Sequence, residues 1–130
     1  MTLDRSFVVL WHWDVAEPHF DFMIEAAPGE LLHTWRCRNN PLVMYVTAGE
    51  RIKDHRPDYL DYEGEVSGNR GRVARVAQGR CAFREIRPGL WLFSTNFPAV
   101  RRHFYMKPVS EASELWVIEA ADPDPPEARS

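Results

Sequence analysis

The sequence predicts an all-β domain, an antiparallel barrel or sandwich with one short helical or irregular segment near its middle. Two observations carry this. Short apolar stretches recur at roughly 8- to 12-residue spacing with Gly, Pro or Asn between them. Several of them alternate polar with apolar side chains, the period of a strand that presents different residues to its two faces. At 130 residues the chain is long enough for one core. Residues 1–120 are read as that domain, and the acidic, proline-rich 121–130 as a disordered tail.

Taken in order, Phe7-Val8-Val9-Leu10-Trp11 is a buried strand, too short for a helix. After it, HWDVAEPHFDFMIE (12–25) alternates, with His19, Asp21 and Glu25 on one parity and Phe20, Phe22 and Ile24 on the other. A turn at Glu17-Pro18 pairs these two strands. Ala26-Ala27-Pro28-Gly29 is a turn and Leu31 to Cys37 a strand, with Leu31, His33, Trp35 and Cys37 on one face. Its other face carries Arg36 and, just beyond, Arg38, which line a polar barrel interior or face water. Asn39-Asn40-Pro41 breaks that strand, and Leu42 to Val46 is the next.

Arg51 to Tyr62 is polar and reads as an irregular loop or short helical turn, feeding a glycine-marked entry (Gly64, Gly68, Gly71) into further strands. These are Arg72 to Val76, Cys81 to Ile86, Leu90 to Phe93, Arg102 to Met106 and Leu115 to Ile118. Gln78-Gly79, Pro88-Gly89 and Asn96-Phe97-Pro98 separate them.

Composition narrows the class. Apolar residues make up 45%, with 5 Trp, 7 Phe and 4 Tyr to fill the core. No apolar run approaches the roughly 20 residues of a membrane span. The N-terminus leads straight into a strand pattern, so no signal peptide is expected, and the reading is cytoplasmic. Cys37 and Cys81 are then reduced, buried thiols. The net charge of −3 is unevenly placed: residues 66–107 hold nine basic side chains and one acidic, Glu85. Such a block is either a solvated face or the footprint of a phosphate backbone, and its richness in Arg favours bidentate phosphate contact. There is no P-loop, no GxGxxG and no nucleophile elbow.

The chemistry concentrates at His12, His19 and Asp21. Two imidazoles and a carboxylate converging on one point form the ligand set of an open divalent-metal site suited to Mn, Fe or Zn; separately, each is an ordinary hydrogen-bonded strand residue. Glu25 shares the parity of the ligands and either orients a histidine or lies in solvent. His33 is read as structural, and Trp11, Trp13 and Trp35 as packing. His55 and Tyr59 lie four apart, on one side of any local helical turn.

In order, FVVLWH, HFDFMIE, TWR, DHRPDYLDYEG and SGNRGRVARVAQG resemble the 3′-phosphoesterase domain of bacterial DNA ligase D, in its short stand-alone form. The resemblance runs from Phe7 to Gly79, with fainter strands to Ile118. It implies a compact closed antiparallel barrel of about eight strands, with a polar cavity on one side. It also implies divalent-metal-dependent removal of 3′-phosphates or 3′-ribonucleosides from DNA ends in repair, with Mn preferred and Zn or another transition metal as the alternative. By the same resemblance His12, His19 and Asp21 are metal ligands, and His55 and Tyr59 catalytic residues. The partners implied are primer-template 3′ ends and a repair ligase or polymerase in trans.

The chain departs from that pattern where Met23 stands in place of the family's phosphate-clamping arginine. The guanidinium must then come from Arg56, Arg36 or Arg38. Two rival readings remain: an impaired barrel that binds DNA ends or a partner, and a phosphoesterase acting on small nucleotides.

Overall fold

A computed structural model describes residues 2–97 and 102–121. It has strands β1 (Arg5–Trp13), β2 (His19–Glu25), β3 (Leu32–Cys37), β4 (Val46–His55), β5 (Gly64–Glu65), β6 (Arg72–Arg87), β7 (Leu90–Thr95), β8 (His103–Pro108) and β9 (Leu115–Ala120). One turn of 3-10 helix (Pro57–Leu60) lies between β4 and β5. Eight strands pair in the order β1-β2-β3-β4-β9-β8-β7-β6, and β6 returns to pair with β1. Every pairing is antiparallel. The sheet is thus a closed barrel, which leaves no free edge in the ring. Strand β5 lies outside it, paired to β6 alone.

The barrel closes around its own side chains. Strand alternation sends Phe7 and Val9 of β1, Phe22 and Ile24 of β2, and Trp35 and Cys37 of β3 inward, where Phe83, Phe93, Phe104, Met106 and Ile118 meet them. Phe7, Phe22 and Phe93 contact one another edge to face, with centroids 5.1 to 6.4 Å apart. Gly49 makes room for Trp35: a Cβ there would stand 3.1 Å from Cys37 Sγ and 3.2 Å from Trp35 Cβ. An interior this full leaves no lumen for a polar site, as in other small barrels. Arg36 and Arg38 are accordingly on the outside, which settles the choice left open by parity.

A second apolar layer covers part of the outer surface. Val8, Leu10, Met23 and Leu32 point outward yet are buried, because Val66 and Val73 pack on them and Tyr59 and Leu60 lean against the cluster. Residues 56–71 therefore form a strap over the outer faces of β1 and β2, with the 3-10 turn and the loop after β5 as its contacts.

The structure corrects the sequence reading in three places. Pro41 to Val43 form a turn, and the strand begins only at Val46 and continues through Arg51 to His55. Its polar second half looked like loop because β4 shows one face to solvent there. The separate strands 72–76 and 81–86 are one sixteen-residue strand. Gly79 marks no turn: a Cβ would meet the Phe7 ring at 3.1 Å, so glycine is needed for close approach of β6 to β1. The long strand pairs with β1 through its first half and with β7 through its second. Pro98 of the last expected turn, and the expected tail from 122 onward, lie outside the described residues.

Both thiols are free and buried, and burial pushes each up to about 12. Neither Cys37 nor Cys81 should react with an aromatic disulfide reagent at pH 8 until denaturant is added; prompt labelling of the native protein would contradict this placement. Phe22→Ala, which empties the middle of the ring cluster, should cost about 3–5 kcal/mol in urea unfolding.

Candidate metal centre

The β1–β2 hairpin builds the site. His12 pairs with His19 across the two strands, and Leu10 with Asp21. Directly opposed residues in an antiparallel pair point to the same face. His12, His19 and Asp21 therefore share the outer face with Leu10 and Met23, and their ligand atoms lie within 4.8 Å of one another. His19 and Asp21 are buried, with 8% and 4% of their surface exposed, and His12 is half-buried.

Two backbone carbonyls determine which ring nitrogens are free. His12 Nε2 lies 2.7 Å from the Arg70 carbonyl oxygen, and His19 Nδ1 lies 2.9 Å from that of Glu17. A carbonyl can only accept, so His12 carries a proton on Nε2 and His19 on Nδ1. The remaining nitrogens face Asp21: His12 Nδ1 is 3.3 Å from Oδ2, and His19 Nε2 is 3.2 Å from Oδ1. Two imidazole lone pairs directed at a carboxylate repel it unless protons or a cation lie between them. His19 Nε2 and Asp21 Oδ1 are also buried without a hydrogen-bond partner. One divalent cation would satisfy all three groups, so the donor set could hold a metal ion.

The charges are consistent with this. Without an ion, protons on His12 Nδ1 and His19 Nε2 take its place: burial works to raise the Asp21 carboxyl, but hydrogen bonds from the two protonated rings outweigh it and hold the group down at about 2. Chiefly through its hydrogen bond to Asp21, His12 is raised above its usual 6.5. The nearby Arg36 charge works the other way on His12, because β3 places Arg36 directly opposite Asp21.

A groove of about 260 Å³ opens from the site across the outer face. It brings His12, Asp21, Met23 and Arg36 together with His55 and Tyr59, so both residues expected beside the metal ligands are there. The ring of His55 lies 5.4 Å from that of Tyr59, and His55 Nδ1 donates to the Lys53 carbonyl at 3.0 Å, which leaves Nε2 unclaimed. No protein-family model and no curated protein matches the chain.

Of the three candidate arginines, Arg36 lines the groove, Arg56 lines a neighbouring cleft, and Arg38 lines neither. Glu25 neither orients a histidine nor lies in solvent. It is buried, with Oε1 accepting from the Ser6 amide at 2.5 Å and Oε2 from the Gly29 amide at 2.8 Å. His33 is structural as expected: its Nδ1 accepts from Arg51 at 2.6 Å, and Arg51 also donates to Asp54 at 2.9 Å.

Sequence reasoning missed Lys53 and the Arg70 carbonyl, both at the groove. A signal for the second was present in Gly71, at φ +85°. A Cβ there would strike the Trp13 carbonyl oxygen at 2.5 Å, so only glycine lets residues 70–71 run against the end of β1.

Titration of the metal-stripped protein with Mn or Zn, followed by calorimetry, should show one site per chain that His19→Ala weakens at least about 100-fold. That expectation follows from removing one ligand of three, when loss of an outer partner alone costs about 10- to 100-fold. A proton on His12 Nδ1 competes with the ion, and the raised affinity for that proton extends the competition above pH 6.5. Apparent affinity should rise with pH through this range and fall below it, with proton release on binding. A pH-independent isotherm would count against the three-ligand site.

Proposed function

We propose that the protein is a metal-dependent phosphoesterase of the ligase-D 3′-phosphoesterase type, acting on the 3′ ends of DNA. The observation that carries this reading is the groove. It joins a buried two-histidine, one-carboxylate centre to a guanidinium, an imidazole and a phenol, the set needed to hold and cleave a phosphate ester.

His12 Nδ1, His19 Nε2 and Asp21 would hold the ion, with Mn as the metal proposed. When bound, a divalent ion supplies Lewis acidity toward a phosphoryl oxygen. The chain's own groups do the rest. Arg36 binds the phosphate through its planar fork, with Lys53 adding charge. With Nδ1 committed to a carbonyl, His55 presents Nε2, which in the protonated ring donates to the departing oxygen. The Tyr59 hydroxyl hydrogen-bonds the phosphate and limits its rotation. The buried floor of Val8, Leu10, Met23 and Val73 excludes water from one side, which strengthens these contacts.

Support for a nucleic-acid substrate comes from β6. It enters beside the site, with Val73 opposite His12, and carries exposed Arg72, Arg75, Arg80 and Arg84 away from it. Arg72 and Arg75 pair with exposed Glu65 and Glu63. Exposed pairs of this kind contribute little and exchange readily for phosphate.

Incubation with a 3′-phosphate-terminated primer-template should give Mn-dependent phosphate release that His19→Ala abolishes. Arg36→Ala should lower kcat/KM about 100- to 1,000-fold, the usual cost of one transition-state donor, and Met23→Arg in that background should restore part of it. Binding to the duplex should weaken steeply with salt. Absence of release by the native chain and by Met23→Arg, with no metal bound, would sink the phosphoesterase reading. Release from free nucleotides without preference for duplex ends would leave a hydrolase with a different substrate.

A further inference from the structure

The groove at the metal centre carries more positive charge than one phosphate can use. Three cationic side chains, Arg36, Lys53 and Arg70, line it against one carboxylate, Asp21. A terminal phosphate brings a charge of about −1.5 to −2 at pH 7, which a bound divalent ion offsets by itself. The cationic side chains are then left facing Asp21 alone, and a cleft with such an excess of one sign concentrates further counter-charge.

Of the three, Arg70 is held in place by hydrogen bonds. Its Nε donates to the Ser67 carbonyl at 2.6 Å, and a terminal nitrogen donates to Ser67 Oγ at 3.1 Å. Both acceptors are neutral, and among the described residues no carboxylate pairs with this guanidinium. Arg72 and Arg75, the next two arginines along the chain, are by contrast paired with Glu65 and Glu63.

Position gives Arg70 a different task from Arg36. Ser67 lines the two neighbouring hollows but not the groove, so the guanidinium that it holds stands at the groove's edge. The carbonyl of Arg70 lies 2.7 Å from His12 Nε2, which places its guanidinium one arginine side chain away from the metal ligands. Arg36 lies on the other side of them, opposite Asp21 on β3. Just beyond Arg70 the chain enters β6, whose exposed arginines lead away from the site. A nucleic-acid strand that ends at Arg36 and follows β6 must pass Arg70, and only one sugar separates its terminal phosphate from the next.

We propose that Arg70 forms a second anion subsite, which binds the internucleotide phosphate adjacent to the terminal one. The proposal deepens the phosphoesterase reading and rests on it for the identity of the ligand. The planar guanidinium fork keeps N–H groups to spare beyond the two held by Ser67, so it can take up a phosphate without leaving its support. The groove then recognises the end of a strand in preference to a free nucleoside monophosphate, which has no second anion to offer.

Thymidine 3′,5′-bisphosphate carries two phosphates across one sugar, as a strand end does, and thymidine 3′-phosphate carries one. Each is titrated into the full-length protein without metal, and the amide and arginine Nε NMR signals are followed. The bisphosphate should bind about tenfold more tightly and should move the Arg70 Nε signal, which the monophosphate leaves in place. Arg70→Ala removes the guanidinium but keeps the main-chain carbonyl that orients His12, and should bring the two affinities within about twofold of each other. Lys107→Ala removes the same charge from an exposed position on β8 outside the groove, and should leave the preference intact. Equal affinities in the native protein, a preference that survives Arg70→Ala, or an equal loss of it in Lys107→Ala overturns the subsite. With Mn-loaded protein, the preference in kcat/KM for a 3′-phosphate-terminated strand over thymidine 3′-phosphate should fall about tenfold in Arg70→Ala, and an unchanged preference also overturns it. If the native chain releases phosphate from neither, the phosphoesterase reading fails, while the titration still decides the subsite.

Discussion

The site depends on two hydrogen bonds that involve no metal ligand atom. The Arg70 and Glu17 carbonyls each take an imidazole proton, and so fix His12 and His19 in opposite tautomers, one presenting Nδ1 and the other Nε2. Were either ring in the opposite tautomer, a protonated nitrogen would face Asp21 and a lone pair would face the backbone carbonyl. As built, the other nitrogen of each ring lies 3.2 to 3.3 Å from an Asp21 oxygen, where either a proton or a cation fits between them. The pairing of β1 with β2 and the strap across them fix the positions of all three side chains.

The location of the site follows from the contents of the barrel. With Phe7, Phe22, Trp35, Phe83, Phe93 and Phe104 all inside, the interior is fully used for stability. Function is left to the outer face, which one layer of sheet cannot shield from water. The strap solves this by burying Val8, Leu10, Met23 and Leu32 beneath Val66 and the 3-10 turn, making a dry floor beside polar walls. Register is consequently critical to the chemistry. A slip of one residue between β1 and β2 would turn His19 and Asp21 into the packed interior and Phe20 and Phe22 out to solvent. The same hydrophobic pattern that closes the barrel thus also aims the ligands.

Much of this was legible in the sequence, and the limits have physical causes. The alternation through HFDFMIE set the parity of His19 and Asp21, because a strand buried on one side must separate its polar and apolar residues. The strand count and turn signals indicated antiparallel β structure before any resemblance was considered. Strand ends were harder to read. β4 carries polar residues through Arg51 to His55 because His33, Arg51 and Asp54 satisfy one another at the barrel end, and mutual satisfaction of that kind leaves no trace in a local pattern. Gly79 resembled a turn residue because glycine marks turns and close approaches alike. Glu25 was misjudged for a related reason: its partners are the amides of Ser6 and Gly29, and backbone donors are invisible in a list of side chains. The Arg70 carbonyl belongs to the same class.

The position of the guanidinium illustrates how an outer sheet face permits substitution. Met23 lies two residues beyond Asp21 on β2, and Arg36 lies directly across from Asp21 on β3, so the two positions are diagonal neighbours on one surface. Diagonal side chains on a sheet are roughly 7–8 Å apart at their bases, within the reach of an arginine. On the proposed phosphoesterase reading, a guanidinium at either point reaches the same phosphate. The two choices differ beneath the groove. An arginine at position 23 would lay its stem among Val8, Leu10 and Val73 and bring a charge over the apolar floor, whereas methionine completes that floor and leaves the charge to a strand already facing solvent. A cation on β3 keeps the charge at the groove while methionine packs below it. Met23 and Arg36 thus divide the work, one completing the apolar floor and the other carrying the charge at the groove.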